Sequence, residues 1–123
     1  MTSAKQETFV IITQTIVSKR NINSIVCDAL ETGISYWASG AETKLKVTYL
    51  PDGTSEYEYP LPFNIIEDAT NEKHALTLEK ILDSFSRAAN YLGKSVQQII
   101  DDYDSSDADI IIQFALFGEA RYS

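Results

Sequence analysis

The stretch that most constrains the fold is Ser105 to Tyr122, SSDADIIIQFALFGEARY. It is the most apolar helix-length run in the chain, yet it starts from the densest cluster of acids. A helix that is apolar on most sides must be buried, so other elements have to cover it. Ser106 with Asp109 three residues on makes a near capping box, and Asp107 also suits a helix start. Gly118 is the natural stop. The spacing predicts a helix over 107–117, with Ala120–Tyr122 following as a brief edge strand.

The cover has to come from upstream. Phe9 to Val17 is β-branched throughout and has strand length, with apolar residues on both faces. It reads as a central strand. Ile22, Ile25, Val26, Ala29, Leu30, Gly33 and Trp37 then recur at helical spacing, which predicts a helix over about 22–38 capped by Asn21 and ended by Gly40. A glycine such as Gly33 inside a helix costs about 1 kcal/mol relative to alanine. Close approach of another backbone is the usual reason for one.

Leu45, Val47 and Tyr49 alternate with Lys44, Lys46 and Thr48, as in a half-buried strand. Pro51-Asp52-Gly53 is a turn, and Thr54–Tyr59 returns as the second arm of a hairpin. Lys44 and Lys46 would face Glu56 and Glu58 across it. Phe63–Ile66 reads as a short strand, and Glu67–His74 as a polar loop. Thr77 caps a helix carrying Leu78, Ile81, Leu82, Phe85, Ala88, Ala89 and Leu92, with Gly93 as its end. Ser95 caps a shorter helix containing Ile99 and Ile100.

The expected architecture is one α+β domain over residues 1–123, with Met1–Gln6 frayed. A small, mainly antiparallel sheet of about three to five strands packs against about four helices. At 123 residues the chain is long enough for one sizeable core.

The net charge is −8. Residues 51–123 carry five Lys/Arg against fourteen Asp/Glu, whereas residues 1–50 are nearly balanced. Such a surface opposes direct nucleic-acid binding, which needs cations against phosphates. It suits a basic or nucleic-acid-binding protein partner. The single cysteine, Cys27, excludes an internal disulfide and points to a reducing compartment. Its place beside Val26 and Leu30 predicts inert core. The first residues are polar and no apolar run approaches the roughly 20 residues of a membrane span, so no signal peptide and no membrane contact are expected.

No recognised catalytic motif is present: no P-loop, G-x-G-x-x-G, G-x-S-x-G, H-E-x-x-H or C-x-x-C. His74 is the one histidine and has no nucleophile nearby in sequence. No catalytic residues and no cofactor are expected. Asp101, Asp102, Asp104, Asp107 and Asp109 invite a cation. Their spacing is not that of an EF-hand loop, however, and helix capping with a solvated acidic face explains them without a metal. Asp101, Asp102 and Asp104 are therefore taken as acidic surface. Candidate binding residues are Tyr36, Trp37, Asp107, Asp109, Gln113, Glu119 and Arg121. Core packing is the competing account of Trp37, and a salt bridge the competing account of Glu119 and Arg121.

Two segments resemble a known group. Glu31-Thr-Gly-Ile-Ser-Tyr36-Trp37 is similar to an E-x-G-I-x-Y-W segment of small acidic proteins of tailed bacteriophages and prophages. Asp107–Glu119 is similar to their closing D-A-D-x3-Q-x-A-L-F-G-E segment. Thr32 departs from the glycine often found there. The resemblance implies a phage origin and the cytoplasm of an infected bacterial cell, but no particular activity. Small acidic phage proteins often bind and inhibit host proteins, in host takeover or against host defence. The expected function is therefore non-enzymatic binding of a host protein through the acidic surface. The alternatives are sequestration of a small molecule such as a nucleotide signal, and a virion or assembly role. An exposed edge at Ala120–Tyr122 would also allow a homodimer.

Overall fold

The computed structural model describes residues 7–9 and 14–123. The fold is α+β. Among the described residues the elements run α1 (Lys19–Asp28), a π-helical turn (Ala29–Gly33), β1 (Ala38–Ala41), β2 (Lys46–Tyr49), β3 (Ser55–Glu58), β4 (Phe63–Glu67), β5 (Lys73–Leu76), α2 (Leu78–Leu92), α3 (Val96–Asp102) and α4 (Ser105–Phe117). No described helix is long and apolar enough to cross a membrane.

The apolar run is the central helix, α4. Ala108, Ile111 and Ile112 are buried, and so are the polar Asp107, Asp109 and Gln113. Burial on several sides is what its composition requires. It packs against α2, the π turn, α1 and β5. Its cap is two residues earlier than the sequence indicates. Asp104, not Ser106, accepts from Asp107 N–H, and Asp107 reaches back to Asp104 N–H. A carboxylate makes a stronger cap than a hydroxyl here because it also sits at the positive end of the helix dipole. Gly118 closes the helix with a left-handed backbone, φ 70°.

α2 begins and ends where the sequence places it. Thr77 accepts from Lys80 N–H, and Gly93 forms a left-handed cap at φ 68°. Ile81, Phe85, Ala88 and Ala89 fill the core, while Leu78 and Leu82 lie on the exposed side of the stripe. Ser95 caps α3.

The first half departs further from expectation. Residues 10–13 of the anticipated strand lie outside the described residues. Gln14–Val17 is irregular, and Phe9 and Ile16 are 83% and 84% exposed. Only Val17 of this described part packs against the core. α1 starts at Lys19 because Ser18 is the cap. Asn21 is instead the third helical residue, completing a capping box with Ser18. The apolar stripe is continuous through Trp37 but the helix is not. Ile34 N–H bonds to Ala29 O, five residues back, and the chain turns into β1. Gly40 lies in that strand and is no helix stop.

The sheet is also divided. β1, β4 and β5 form a three-stranded antiparallel sheet in the order β1-β4-β5, and β2 and β3 form a separate hairpin. Its register sets Lys46 opposite Glu58 and Thr48 opposite Glu56, whereas Lys44 precedes the paired residues. Glu58 takes its ion pair from α1, with Lys19 Nζ at 3.3 Å. The hairpin lies against α1 rather than on the core, so β2 is exposed along its length and not half-buried. The polar run 67–74 is not simply a loop, because its last two residues open β5. Ala120–Tyr122 forms no strand.

Candidate functional site

The π turn delivers Gly33, Tyr36 and Trp37 to the N-terminal half of α4. A Cβ on Gly33 would lie 2.5 Å from Ser105 O and 3.4 Å from Asp109 N, so only glycine lets the two backbones meet. Asp109 then receives both aromatic donors. Trp37 Nε1–H donates to Asp109 Oδ1 at 2.7 Å, and Tyr36 O–H to Oδ2 at 2.6 Å. Gln113, one turn on, donates to Asp109 Oδ1 at 2.9 Å. Burial, followed by the hydrogen bond to Asp109 and its charge, pushes the Tyr36 phenol up to about 12. The two similar segments, 31–37 and 107–119, are therefore one network in space.

The network continues into the tail. Gln113 Oε1 accepts from Tyr122 N–H at 2.7 Å, and its amide nitrogen donates to Tyr122 O at 3.1 Å. A side-chain amide carries one donor and one acceptor side by side, as a peptide group does. It pairs with Tyr122 as a neighbouring strand would. The Tyr122 ring lies parallel to Trp37, with centroids 5.5 Å apart, and its hydroxyl donates to Glu67 Oε2.

Glu67 is a second buried polar centre, 1% exposed. Thr70 Oγ1 donates to its Oε1 at 3.2 Å, His74 Nε2 lies 2.9 Å from the same oxygen, and Arg121 Nη1 is 3.5 Å from Oε2. The Tyr122 hydroxyl and, behind it, His74, Thr70 and Arg121 hold the carboxyl down at about 2 against the opposing effect of burial. Phe117 meets His74 edge-on at 5.0 Å and Arg121 under its guanidinium at 4.0 Å. No buried side-chain nitrogen or oxygen among the described residues lacks a partner.

The sequence-derived candidates separate accordingly. Tyr36, Trp37, Asp109 and Gln113 come together, and Trp37 is core at 2% exposure. Arg121 joins through Glu67. Asp107 stands apart, buried beneath Lys94 Nζ at 2.8 Å and serving the start of α4. Glu119 is exposed, and so are Asp101, Asp102 and Asp104. Glu67 and Tyr122 are the members that sequence reasoning missed. The signal for Glu67 was its period: Phe63, Ile65 and Glu67 alternate along β4 and all three are buried.

Two concavities flank this framework. The smaller, about 430 Å³, is lined by Gly33, Tyr36, Tyr91, Ser105, Asp109 and Tyr122 among others. The larger, about 690 Å³, lies between α1 and the β2–β3 hairpin. Its walls include Asp28, Glu31, Glu56 and Glu58, with Leu45, Tyr57 and Tyr103 as apolar surface and Lys19 and Arg20 also contributing. Cys27 lines it too, half-buried rather than core, with Sγ 3.9 Å from Tyr57 O. Burial, then Glu31, Asp28 and Glu58, pushes the Cys27 thiol up. Burial and Glu31 do the same to the Tyr59 phenol.

No family model matches this chain, and neither does any curated protein or solved structure. Fold and site define an α+β protein whose polar centres are closed on themselves and whose larger cleft is acidic.

Proposed function

We propose that this protein acts by binding a basic protein partner in the acidic cleft between α1 and the β2–β3 hairpin, without catalysis. The observation that carries this reading is the lining of the cleft, where Asp28, Glu31, Glu56 and Glu58 outnumber Lys19 and Arg20, and Lys19 is already paired with Glu58 at 3.3 Å. Behind burial, the main cause, Glu31, Asp28 and Glu58 also push the Cys27 thiol up. Acids beside exposed Tyr57 and Leu45 suit a Lys or Arg side chain, whose charged head meets carboxylates while its stem lies on apolar surface. Tyr103 also lines the cleft, and its sequence neighbours Asp101, Asp102 and Asp104 are exposed acids. The resemblance to small phage proteins supplies the setting: a host protein in an infected bacterium, bound and inhibited during host takeover or against host defence.

The test uses tagged protein in host lysate across a salt series, beside a Glu31→Gln, Glu56→Gln double variant. A bound basic protein that is released by salt and lost with the variant supports the reading. Capture indifferent to both removes it.

A second reading is favoured by the smaller concavity, where half-exposed Tyr36 and Tyr91 border Ser105 and Ser106. The space suits a small aromatic ligand. Asp109 is the charged side chain in its lining, which disfavours an anionic nucleotide phosphate there. Thermal-shift measurements with nucleosides and nucleotides separate the two ligand types.

A further inference from the structure

We propose that the β4–β5 hairpin is a binding site for a divalent first-row transition ion, held by Glu67 Oε1, Glu72 Oε2 and His74 Nε2. These three donor atoms lie within 4.8 Å of one another. His74 Nε2 is 2.9 Å from Glu67 Oε1 and 3.9 Å from Glu72 Oε2. Ligands about 2.0–2.2 Å from one ion stand roughly 3.3–3.6 Å from each other in a tetrahedral site. The first distance is shorter than that range and opens to it as the ion takes the place of the hydrogen bond. The second reaches it with a small swing of Glu72, whose side chain is 67% exposed and free to move.

The turn between the strands sets the donors in place. Glu67 N–H donates to Glu72 O at 2.8 Å, and Asn71 N–H to Glu67 O at 2.8 Å, with Asn71 at φ 61°. Two of the three ligands also carry outer support of the kind metal sites use. Tyr122 and Arg121 occupy the far oxygen of Glu67, Oε2, while Oε1 faces His74 and accepts from Thr70 Oγ1 on another side. Phe117 fixes the imidazole edge-on. The His74 side chain keeps 19% of its surface exposed, so an ion and its waters can reach it.

Donor chemistry selects the ion. Two carboxylates and a neutral imidazole balance a dication. The imidazole favours ions such as Zn²⁺, Cu²⁺ or Ni²⁺ over Ca²⁺ and Mg²⁺, which take oxygen ligands, while the two carboxylates also admit Mn²⁺. An ion at this position replaces the hydrogen between His74 and Glu67. It would tie the hairpin to the tail through Glu67 and Tyr122. This site is independent of the acidic cleft and does not rest on the proposed partner.

His74 is the one histidine in the chain, so its ring gives an unambiguous signal in nuclear magnetic resonance. Titration of the whole protein with Zn²⁺ is expected to shift the imidazole resonances to an end point at one equivalent. Mn²⁺ is expected to broaden them first. Glu72→Gln should weaken Zn²⁺ binding at least about tenfold, since even outer-shell partners carry that much. His74→Asn should abolish it. Glu72 is exposed, so its variant stays informative if the His74 variant fails to fold. An imidazole signal unmoved by millimolar Zn²⁺ and Mn²⁺ overturns the proposal. Zn²⁺ affinity unchanged in Glu72→Gln overturns it too, because the ion would then lie elsewhere, for example among Asp101–Asp109.

Discussion

Gln113 grips Tyr122 by both backbone groups, accepting from its N–H at 2.7 Å and donating to its carbonyl at 3.1 Å. The same amide nitrogen holds Asp109, which in turn holds Tyr36 and Trp37. One fully buried side chain thus joins the tail to the junction between the π turn and α4.

Replacing Gln113 with leucine keeps the volume and removes the clamp. Tyr122 N–H and C=O then lose their partner in a part-buried setting, and Asp109 Oδ1 keeps Trp37 alone. Each such group costs about 1–3 kcal/mol. Urea denaturation should show a loss in that range, and hydrogen exchange should show faster exchange at Tyr122. A variant as stable as the parent would mean that the clamp contributes nothing.

Gly33→Ala should destabilise by about 1–3 kcal/mol, the usual cost of forcing extra volume into a packed contact. Its Cβ would meet the Ser105 carbonyl at 2.5 Å, and backbone there cannot rotate aside as a side chain can. Gly40→Ala is the control, since a Cβ on Gly40 meets nothing within 4 Å. Equal melting temperatures for the two variants would show that α4 can shift to accept the methyl group.

Glu67 sets an acid limit. Its folded-state value of about 2 lies below that of an unfolded glutamate, about 4.3. The folded protein therefore holds the carboxylate where the unfolded chain has taken up a proton. The stabilisation is complete above about pH 4.5 and is lost as pH falls towards 2. Glu67→Gln should flatten the acid limb of a stability–pH curve while lowering stability at neutral pH.

Tyr36 sets an alkaline limit of the opposite sense. Its phenol is raised to about 12, so the unfolded chain gives up its proton first, near pH 10. The contribution is intact below pH 10 and declines as pH rises towards 12. Absorbance titration at the tyrosinate band should show one late-ionising group missing from Tyr36→Phe.

The second half of the chain was legible because its signals are local. Thr77, Gly93, Ser95 and Gly118 act within one turn of their own position. So was Gly33, whose misfit in a helix announced a close backbone. The first half was harder for a physical reason. The stripe from Ile22 to Trp37 faces one core throughout, and periodicity reports the face without reporting where the helix gives way to a π turn and a strand. The hairpin arms alternate like a half-covered sheet, yet Val47 and Tyr49 are exposed, because alternation cannot say whether anything packs on the apolar side. The candidate residues were visible as two groups. Their union was not, since Trp37 and Asp109 are 72 residues apart in sequence and meet only through the fold.

The tail clamp also ties folding to the order of synthesis. A chain growing from its N-terminus makes Glu67, Asp109 and Gln113 before Tyr122. While Tyr122 is still to come, Glu67 lacks the hydroxyl that meets its Oε2, Gln113 has no peptide to grip, and one face of Trp37 is uncovered. The core is therefore a lock whose key is made after the rest of it, and a nascent chain that has yet to reach residue 122 has an unfinished core however much of its helix content has formed.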